Sequence, residues 1–189
     1  MIRSVLLIAL FAFSATAGAQ GIGYNYLQAS YGTANIDDSV IDVDGDGFGI
    51  SGSFAFSDNF HVSAEYQTLG MDFGVDLNVL EAAVGYHTSL SENLDFTAQL
   101  GFLNAEIEAS GLGSVEDDGL LAGIGLRAAM TDRVELYGGL DYIDFDSEGE
   151  TRFNAGFLFG ITDTITAGAE ASIWEDINVY QLNVRFDFD

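Results

Sequence analysis

Hydrophobic residues alternate with small or polar ones along most of this chain, from about residue 24 to residue 188. In one clear stretch Phe48, Ile50, Phe54 and Phe56 occupy even positions, whereas the odd positions hold Gly, Ser and Ala. Because successive side chains of a strand point to opposite faces, the large apolar groups all lie on one face. The pattern predicts an all-β fold, a transmembrane antiparallel up-and-down β-barrel that is apolar outside and polar inside.

Short polar turns of one type divide the alternating segments. Four of them share a [Ser/Thr]-[Asp/Glu]-[polar] form, at 57–59, 91–93, 131–133 and 162–164. Their spacing suits the tight periplasmic turns of outer-membrane barrels. Longer acidic or Gly-bearing connections lie between them and are expected to be outward loops: Asn35 to Gly45, Gly70 to Asp76, Ala109 to Asp118, Asp146 to Glu150 and Glu175 to Asn178.

Counting the segments between these connections predicts about ten strands, with eight as the alternative, each near the 9 to 11 residues that cross a bilayer at a tilt. The expected strands are 24–34, 46–56, 60–69, 77–88, 94–108, 119–130, 133–145, 151–161, 165–174 and 179–188.

The two-residue period also assigns the faces of the later strands. The positions expected to face lipid carry no charge, as the cost of about 2 to 4 kcal/mol for a basic residue at mid-bilayer demands; they include Phe60, Val62, Tyr66, Leu80, Val84, Tyr86, Leu100, Phe102, Leu120, Ile124, Leu126, Phe157, Tyr180, Leu182, Val184 and Phe186. The first strand fits least well, because Tyr24, Tyr26 and Tyr31 do not share one parity.

The amino-terminal residues 1–19 resemble a signal peptide. Arg3 precedes an apolar core, and Ala17-Gly18-Ala19 forms a small-residue cleavage site. We expect residues 20–189 to be a single outer-membrane barrel domain. No later segment approaches about 18 uninterrupted apolar residues, so spanning must use strands.

The charge of the chain restricts its partners. Thirty acidic residues against five basic ones give a formal net charge of -25, and Lys is absent. Nucleic acid is excluded, because phosphate binding requires clustered Lys and Arg. A hydrophobic content of 48% is too high for a disordered acidic chain.

The positions that alternate with the lipid-facing ones are expected to face the lumen, and charged residues of the strands collect there. Arg127 is expected opposite or diagonal to Glu135, and Arg185 likewise to Glu170, since hairpin register follows from the turns. Charges in a narrow lumen must be paired or hydrated, so we predict ion pairs among Arg127, Glu135, Arg152, Asp141, Arg185 and Glu170. The ordinary interpretation is that such pairs brace the barrel; the alternative is that they line a small pore.

His61 and His87 are the only histidines. They flank one hairpin symmetrically, which predicts cross-strand neighbours on the inner face near the periplasmic rim. Two imidazoles alone do not complete a metal site, which needs three or four ligands. Neither a metal site nor a catalytic acid-base pair is favoured for them.

The segment that contains Asp42, Asp44 and Asp46 matches the beginning of a calcium loop, D-x-D-x-D-G. The twelfth position is Ser53, where a bidentate Glu is required, and strand rather than helix surrounds the motif. A polar acidic hairpin tip is favoured over a weak calcium site, and no other cofactor is expected. The remaining loop acids would lie beside lipopolysaccharide, where divalent cations or salt would reduce the repulsion.

Three segments carry a family resemblance: YNYLQASYG, DVDGDGFGISGSFAFSDNFHVSAEYQ and YQLNVRFDF. They resemble the small outer-membrane barrels grouped with OmpX- and opacity-like porins, and more narrowly the family once named for a sulfation-dependent quorum factor. The resemblance implies a cell-outer-membrane location, contact with outer-membrane lipid and lipopolysaccharide, and insertion by the barrel assembly machinery. Such chains usually end on an aromatic residue, whereas here Asp189 follows Phe188.

From these observations we expect a monomeric, non-enzymatic barrel with a structural or surface-interaction role. A narrow channel for ions or small solutes is the alternative hypothesis. A barrel enzyme is the third, and it would require paired Asp, His or Ser near the outer rim, where this sequence has acids but no His.

Overall fold

Ten β-strands make up nearly all of the structure, a computed structural model that describes residues 22–37, 42–109, 111, 113–145, 149–174 and 177–188. The strands are β1 (Tyr26–Asp37), β2 (Asp42–Ala55), β3 (Phe60–Met71), β4 (Val75–Ser91), β5 (Leu94–Ala109), β6 (Gly113–Thr131), β7 (Val134–Phe145), β8 (Gly149–Gly160), β9 (Ile165–Ile173) and β10 (Ile177–Asp187). One 3-10 turn, Asp72–Gly74, joins β3 to β4. The expected signal peptide lies outside the described residues.

The strands close into an antiparallel barrel. Each strand pairs with its neighbours in sequence, and β1 pairs with β10 to complete the ring. Closure gives every strand a hydrogen-bonding partner on both sides, as a lipid environment requires. The predicted barrel and the count of ten strands are confirmed. In the described part of the chain, no helix combines the length and hydropathy that a membrane span needs.

The two ends of the barrel differ. The four predicted tight turns connect β2 to β3, β4 to β5, β6 to β7 and β8 to β9, and the start of β1 and the end of β10 lie at the same end. We call this the turn end and the opposite one the loop end. At the loop end the predicted outward loops are wrong in extent, because strand pairing continues through most of 35–45 and 109–118.

The extra length is greatest in β4, β5 and β6, which have 17, 16 and 19 residues. Strand β7 ends at Phe145, opposite Gly119, so residues 104–109 and 113–118 project beyond it as a hairpin, which we call the extended hairpin. Its outer face is acidic, and its inner face carries Ile107 and Val115 as a cross-strand pair. Acidic residues at every second position resemble a loop in sequence although their backbone is paired.

The lipid-facing parity is observed along the strands. All the large hydrophobic residues assigned to lipid in β3, β4, β6 and β10 are exposed, with Leu120 and Leu182 each 68% exposed. The intervening residues of these strands are buried or half-buried on the inner face. The barrel therefore presents an apolar outer surface to the bilayer.

Strand β1 begins at Tyr26 instead of at Tyr24. Within β1, Leu27 and Tyr31 are exposed on the outer face, whereas Tyr26 lines the lumen. Tyr24 lies before the strand, and its side chain is 7% exposed. The parity mismatch of the first segment arises because Tyr24 and Tyr26 occupy even positions that face inward, whereas Leu27 and Tyr31 occupy odd positions that face outward.

Candidate functional site in the lumen

The segment before β1 crosses the lumen at the turn end. Strands β1 and β6 are diametrically opposed in the ten-stranded ring. The Tyr24 hydroxyl nevertheless donates a hydrogen bond to Asp95 Oδ2 on β5, at 3.0 Å. On the β6 side, the Arg127 guanidinium lies over the Tyr24 ring, 4.5 Å from its centroid. We call residues 22–25 the Tyr24 plug.

The backbone of the plug is also anchored. The Gly23 carbonyl oxygen accepts hydrogen bonds from Arg127 Nη1 at 2.9 Å and from Arg185 Nη2 at 3.0 Å. Since these two arginines lie on β6 and β10, one carbonyl is held from two separate strands. Arg185 also covers the ring of Tyr26 at 3.9 Å. Aromatic rings and guanidinium groups thus fill the turn end of the lumen.

The histidine pair packs beneath the plug. The Nδ1 atoms of His61 and His87 are 3.2 Å apart, so one ring donates the hydrogen bond and the other accepts it. The Tyr24 ring stacks on His87, with centroids 3.6 Å apart and planes 9° apart. The two imidazoles are brought together as neighbours under an aromatic cover. No group of three or more metal-ligating side chains occurs among the described residues.

Two of the ionic groups at this end have close carboxylate partners. Arg127 Nε lies 2.6 Å from Glu135 Oε1. The expected contact between Arg185 and Glu170 is wrong, because Arg185 pairs in register with Thr166 and its ionic partner is Asp187, at 2.7 Å. Glu170 pairs instead with Gln181, four residues away along β10, about 13 Å at the strand rise.

A second network crosses the middle of the lumen around Asp141, which is 1% exposed. Its carboxylate accepts hydrogen bonds from Arg152 Nε at 3.0 Å and Nη2 at 2.9 Å. Gln99 and Asn154 donate to it as well, at 2.8 and 3.0 Å. Because the donors come from β5 and β8, this carboxylate on β7 ties three strands together.

Arg152 extends this network to β4. Its Nη1 atom lies 2.8 Å from Glu81 Oε2, so carboxylates on two strands neutralise the guanidinium. Nearby, Glu170 accepts a 2.6 Å hydrogen bond from the Tyr137 hydroxyl. Glu65 pairs directly with Glu81 in the sheet, and no ion pair or hydrogen bond of its side chain is found within the described residues. The middle of the lumen is therefore acidic overall.

At the loop end the inner wall is apolar, and here the expected polar interior is wrong. One cluster contains Ala34, Leu69, Met71 and Val179. A second contains Leu103, Leu121 and Ile143, with Trp174 packed against it. The polar part of the lumen is thus confined to the turn end and the middle.

Two cavities follow this division. One of about 210 Å³ reaches from the plug to the middle, and a larger one of about 510 Å³ reaches from the middle towards the loop end. Nine of the described residues line both cavities: Tyr26, Ser51, Ser63, Glu65, Gln99, Tyr137, Asp141, Asn154 and Glu170. These nine residues lie where the two spaces adjoin.

The aspartates of the candidate calcium segment lie along strand β2. Asp44 and Asp46 are exposed on one face, and alternate residues of a strand are about 6.6 Å apart. Asn35 donates to Asp44 Oδ1 at 2.8 Å and the Tyr31 hydroxyl to Asp46 Oδ2 at 2.9 Å. The side chain of Asp42 lies outside the described residues. Calcium binding at this segment stays a prediction.

Four inner residues were missed by the sequence interpretation: Tyr24, Asp95, Gln99 and Asn154. Asp95 and Gln99 have the inward parity of β5, and that signal was present in the sequence. Tyr24 shares the inward parity of Tyr26, so the pattern did not distinguish it from a residue of the strand.

Comparison with known proteins agrees with this architecture. Residues 5–188 match the model of the outer membrane protein beta-barrel domain. An outer-membrane channel from Pseudomonas putida F1 superposes with a TM-score of 0.57 at 9% identity, covering 94% of this chain and 100% of that chain. The translocator domain of autotransporter NalP from Neisseria meningitidis gives 0.51 at 11% identity, covering 89% of this chain and 90% of that one.

At these identities the two likenesses show a shared fold only. No curated protein sequence matches the chain. The family match covers nearly its whole length, and a closed barrel with an apolar outer surface is the architecture of an outer-membrane barrel. The chain belongs to the outer membrane protein beta-barrel family, and its location is the cell outer membrane.

Proposed function

We propose that this barrel is a structural and surface-interaction protein of the outer membrane whose lumen is closed to solutes. The observation that carries the proposal is the Tyr24 plug, which crosses the full width of the lumen to reach Asp95. A conducting pore needs a continuous aqueous path, and here aromatic rings stand across it. The Asp141 network supplies a second barrier nearer the centre.

The plug is held by several independent contacts. Tyr24 stacks on His87, hydrogen-bonds to Asp95 and lies under Arg127, while Gly23 is bound by two arginines. Charge-assisted hydrogen bonds are stronger than neutral ones. Opening the turn end would break all of these contacts together, which favours a permanently closed state.

Conductance in planar lipid bilayers tests this proposal. The folded protein should insert, as judged by heat-modifiable migration on gels, and give no stepwise ion current. Regular current steps from the wild-type protein would overturn the closed-lumen proposal.

A narrow cation channel is the second candidate. It is favoured by the two cavities, which share nine lining residues within the described ranges, and by the acidic middle of the lumen. If the wild-type protein conducted, this hypothesis predicts cation selectivity and a larger current for Tyr24→Ala than for Tyr24→Phe, because only the first substitution removes the ring.

The surface role is assigned to the loop end. Outside the bilayer, the extended hairpin displays Glu106, Glu116 and Asp118 on its outer face, and Asn104 binds Asp118 at 2.8 Å. We propose that these acids approach lipopolysaccharide through bridging divalent cations, since direct contact between anionic groups is repulsive. Chelator should then lower the melting temperature in vesicles that contain lipopolysaccharide and leave it unchanged in phosphatidylcholine; indifference in both would contradict the bridge.

The remaining partner assignments follow from the fold. Closure leaves no unpaired edge strand, which favours a monomer, and insertion by the barrel assembly machinery is proposed from the family resemblance. We also propose that the barrel has no enzymatic role, because its two histidines pack under Tyr24 at the turn end. Hydrolysis of lipid or peptide that disappeared in His61→Ala would contradict this.

A further inference from the structure

The loop-end cavity has the character of a ligand site. Its volume of about 510 Å³ lies within the range of small-molecule pockets, which are mostly apolar with a few convergent polar groups. Leu69, Leu77 and Val179 line its wall, and Trp174 lines it from the end of β9. At the base stand the carboxylates of the middle network. We call this space the loop-end cup.

The apolar wall of the cup is not explained by packing alone. Val75, Leu77 and Ile177 are only partly buried against one apolar cluster, and Phe145 and Trp174 only partly buried against the other. All five line the space. Apolar surface that faces water in a cavity is unfavourable relative to contact with an apolar molecule. A ligand with an apolar part would therefore gain free energy from entering the cup.

The extended hairpin continues the wall beyond the rim. Ile107 and Val115 face each other on its inner side and are 50% and 72% exposed. Ile107 also lines the cup. Since both residues lie on the face opposite Glu106 and Glu116, the hairpin presents apolar groups to the mouth of the cup. One carboxylate of the hairpin, Asp117, has the same inward parity and also lines the cup.

The charged residues that line the cup determine the sign of the charge that a ligand should carry. Six acidic residues and one basic residue, Arg152, line it within the described part of the chain. Arg152 is already engaged by Glu81 and Asp141, so an anion would find no available cation. Glu65 has no ion pair or hydrogen bond inside the described ranges. The Trp174 ring, whose face attracts cations, already has the Arg152 guanidinium 5.6 Å from its centroid.

We propose that the loop-end cup binds a small amphipathic cation, a protonated amine carrying an apolar chain or ring. The ammonium group lies at the base towards Glu65, and the apolar part lies against the wall and Ile107. The net charge of -25 concentrates such cations near the mouth. The site is independent of whether the turn end is closed.

Trp174 provides the readout, because it is the only tryptophan in the chain and lines the cup. The folded protein in zwitterionic lipid nanodiscs at low salt is titrated with 4-phenylbutylamine while Trp174 fluorescence is recorded. The matched probes are 4-phenylbutyrate, which reverses the charge, and tetramethylammonium, which lacks the apolar arm. We expect saturable binding of the amine at least tenfold tighter than of either control.

Two variants separate the two halves of the site. Glu65→Gln should weaken amine binding about tenfold and keep the fold, because it removes a like-charge pair with Glu81. Ile107→Ser should weaken it severalfold, whereas Glu116→Gln, on the outer face of the same hairpin, should bind as the wild-type protein does. Equal affinity for amine and acid, unsaturable signal, or unchanged affinity in Glu65→Gln would each overturn the proposal.

Discussion

Asp141 is the residue on which the middle of the lumen depends most. It is buried and accepts hydrogen bonds from Arg152, Gln99 and Asn154. Replacing one partner of a buried ion pair is costly because it leaves the other charge without compensation. Here Glu81 still contacts Arg152, which limits the loss without removing it.

Asp141→Ala is expected to lower the free energy of unfolding by about 3 kcal/mol, the lower end of the range for a broken buried pair. Urea unfolding in lipid vesicles measures it. The control is Asp163→Ala in an exposed turn, which should change the value by less than about 0.5 kcal/mol. A loss for Asp141→Ala no larger than that of the control would contradict the network.

Tyr24 tests the plug in the same assay. Tyr24→Phe keeps the ring on His87 and loses the hydrogen bond to Asp95, so it should cost about 1 kcal/mol. Tyr24→Ala removes the ring as well and should cost about 3 kcal/mol or more. If both variants lost the same amount, the ring would not be packed across the lumen as described.

At the scale of elements, close approach of neighbouring strands explains one glycine in particular. A Cβ atom added to Gly47 of β2 would collide with the backbone carbonyl oxygen of Thr68 on β3. Backbone cannot move aside as a flexible side chain can, so the two strands would have to separate locally.

Gly47→Ala should therefore reduce the folded fraction on heat-modifiability gels and lower the urea midpoint. Gly70→Ala is the matched control on the adjacent strand, because its Cβ would meet only ordinary contacts, at 3.7 and 3.8 Å. An equal shift in the two variants would remove the steric explanation.

The strand count, the tight turns and the two faces could be predicted because all three follow from a local period of two residues. The extended hairpin could not, because acids at alternate positions such as Glu106 and Glu116 resemble a polar loop. The partner of Arg185 was missed because register along β9 and β10 depends on where those strands begin. The plug was missed because Tyr24 has the same parity as Tyr26 within the strand, and the loop-end cup because the inner face was assumed polar throughout.

For the molecule as a whole, a charged residue introduced on the apolar exterior of a closed barrel should lower the folding free energy only where that exterior lies within the bilayer. Leu182 lies near the middle of β10 and is 68% exposed. Leu182→Arg should cost about 2 to 4 kcal/mol of folding free energy in vesicles. Glu116→Arg, on the outer face of the extended hairpin beyond the bilayer, should cost close to nothing. If Glu116→Arg lost more folding free energy than Leu182→Arg, the assignment of the lipid-facing part of the barrel would be wrong.

The central claim, that alternate residues face lipid and lumen, is tested most directly by single cysteines along β10. The chain has no cysteine of its own, so each introduced thiol can carry one fluorophore. In vesicles with a lipid-borne quencher, labels at positions 180, 182, 184 and 186 should be quenched strongly, and those at 181, 183 and 185 weakly. Quenching without a two-residue period, or with the opposite phase, would contradict the account.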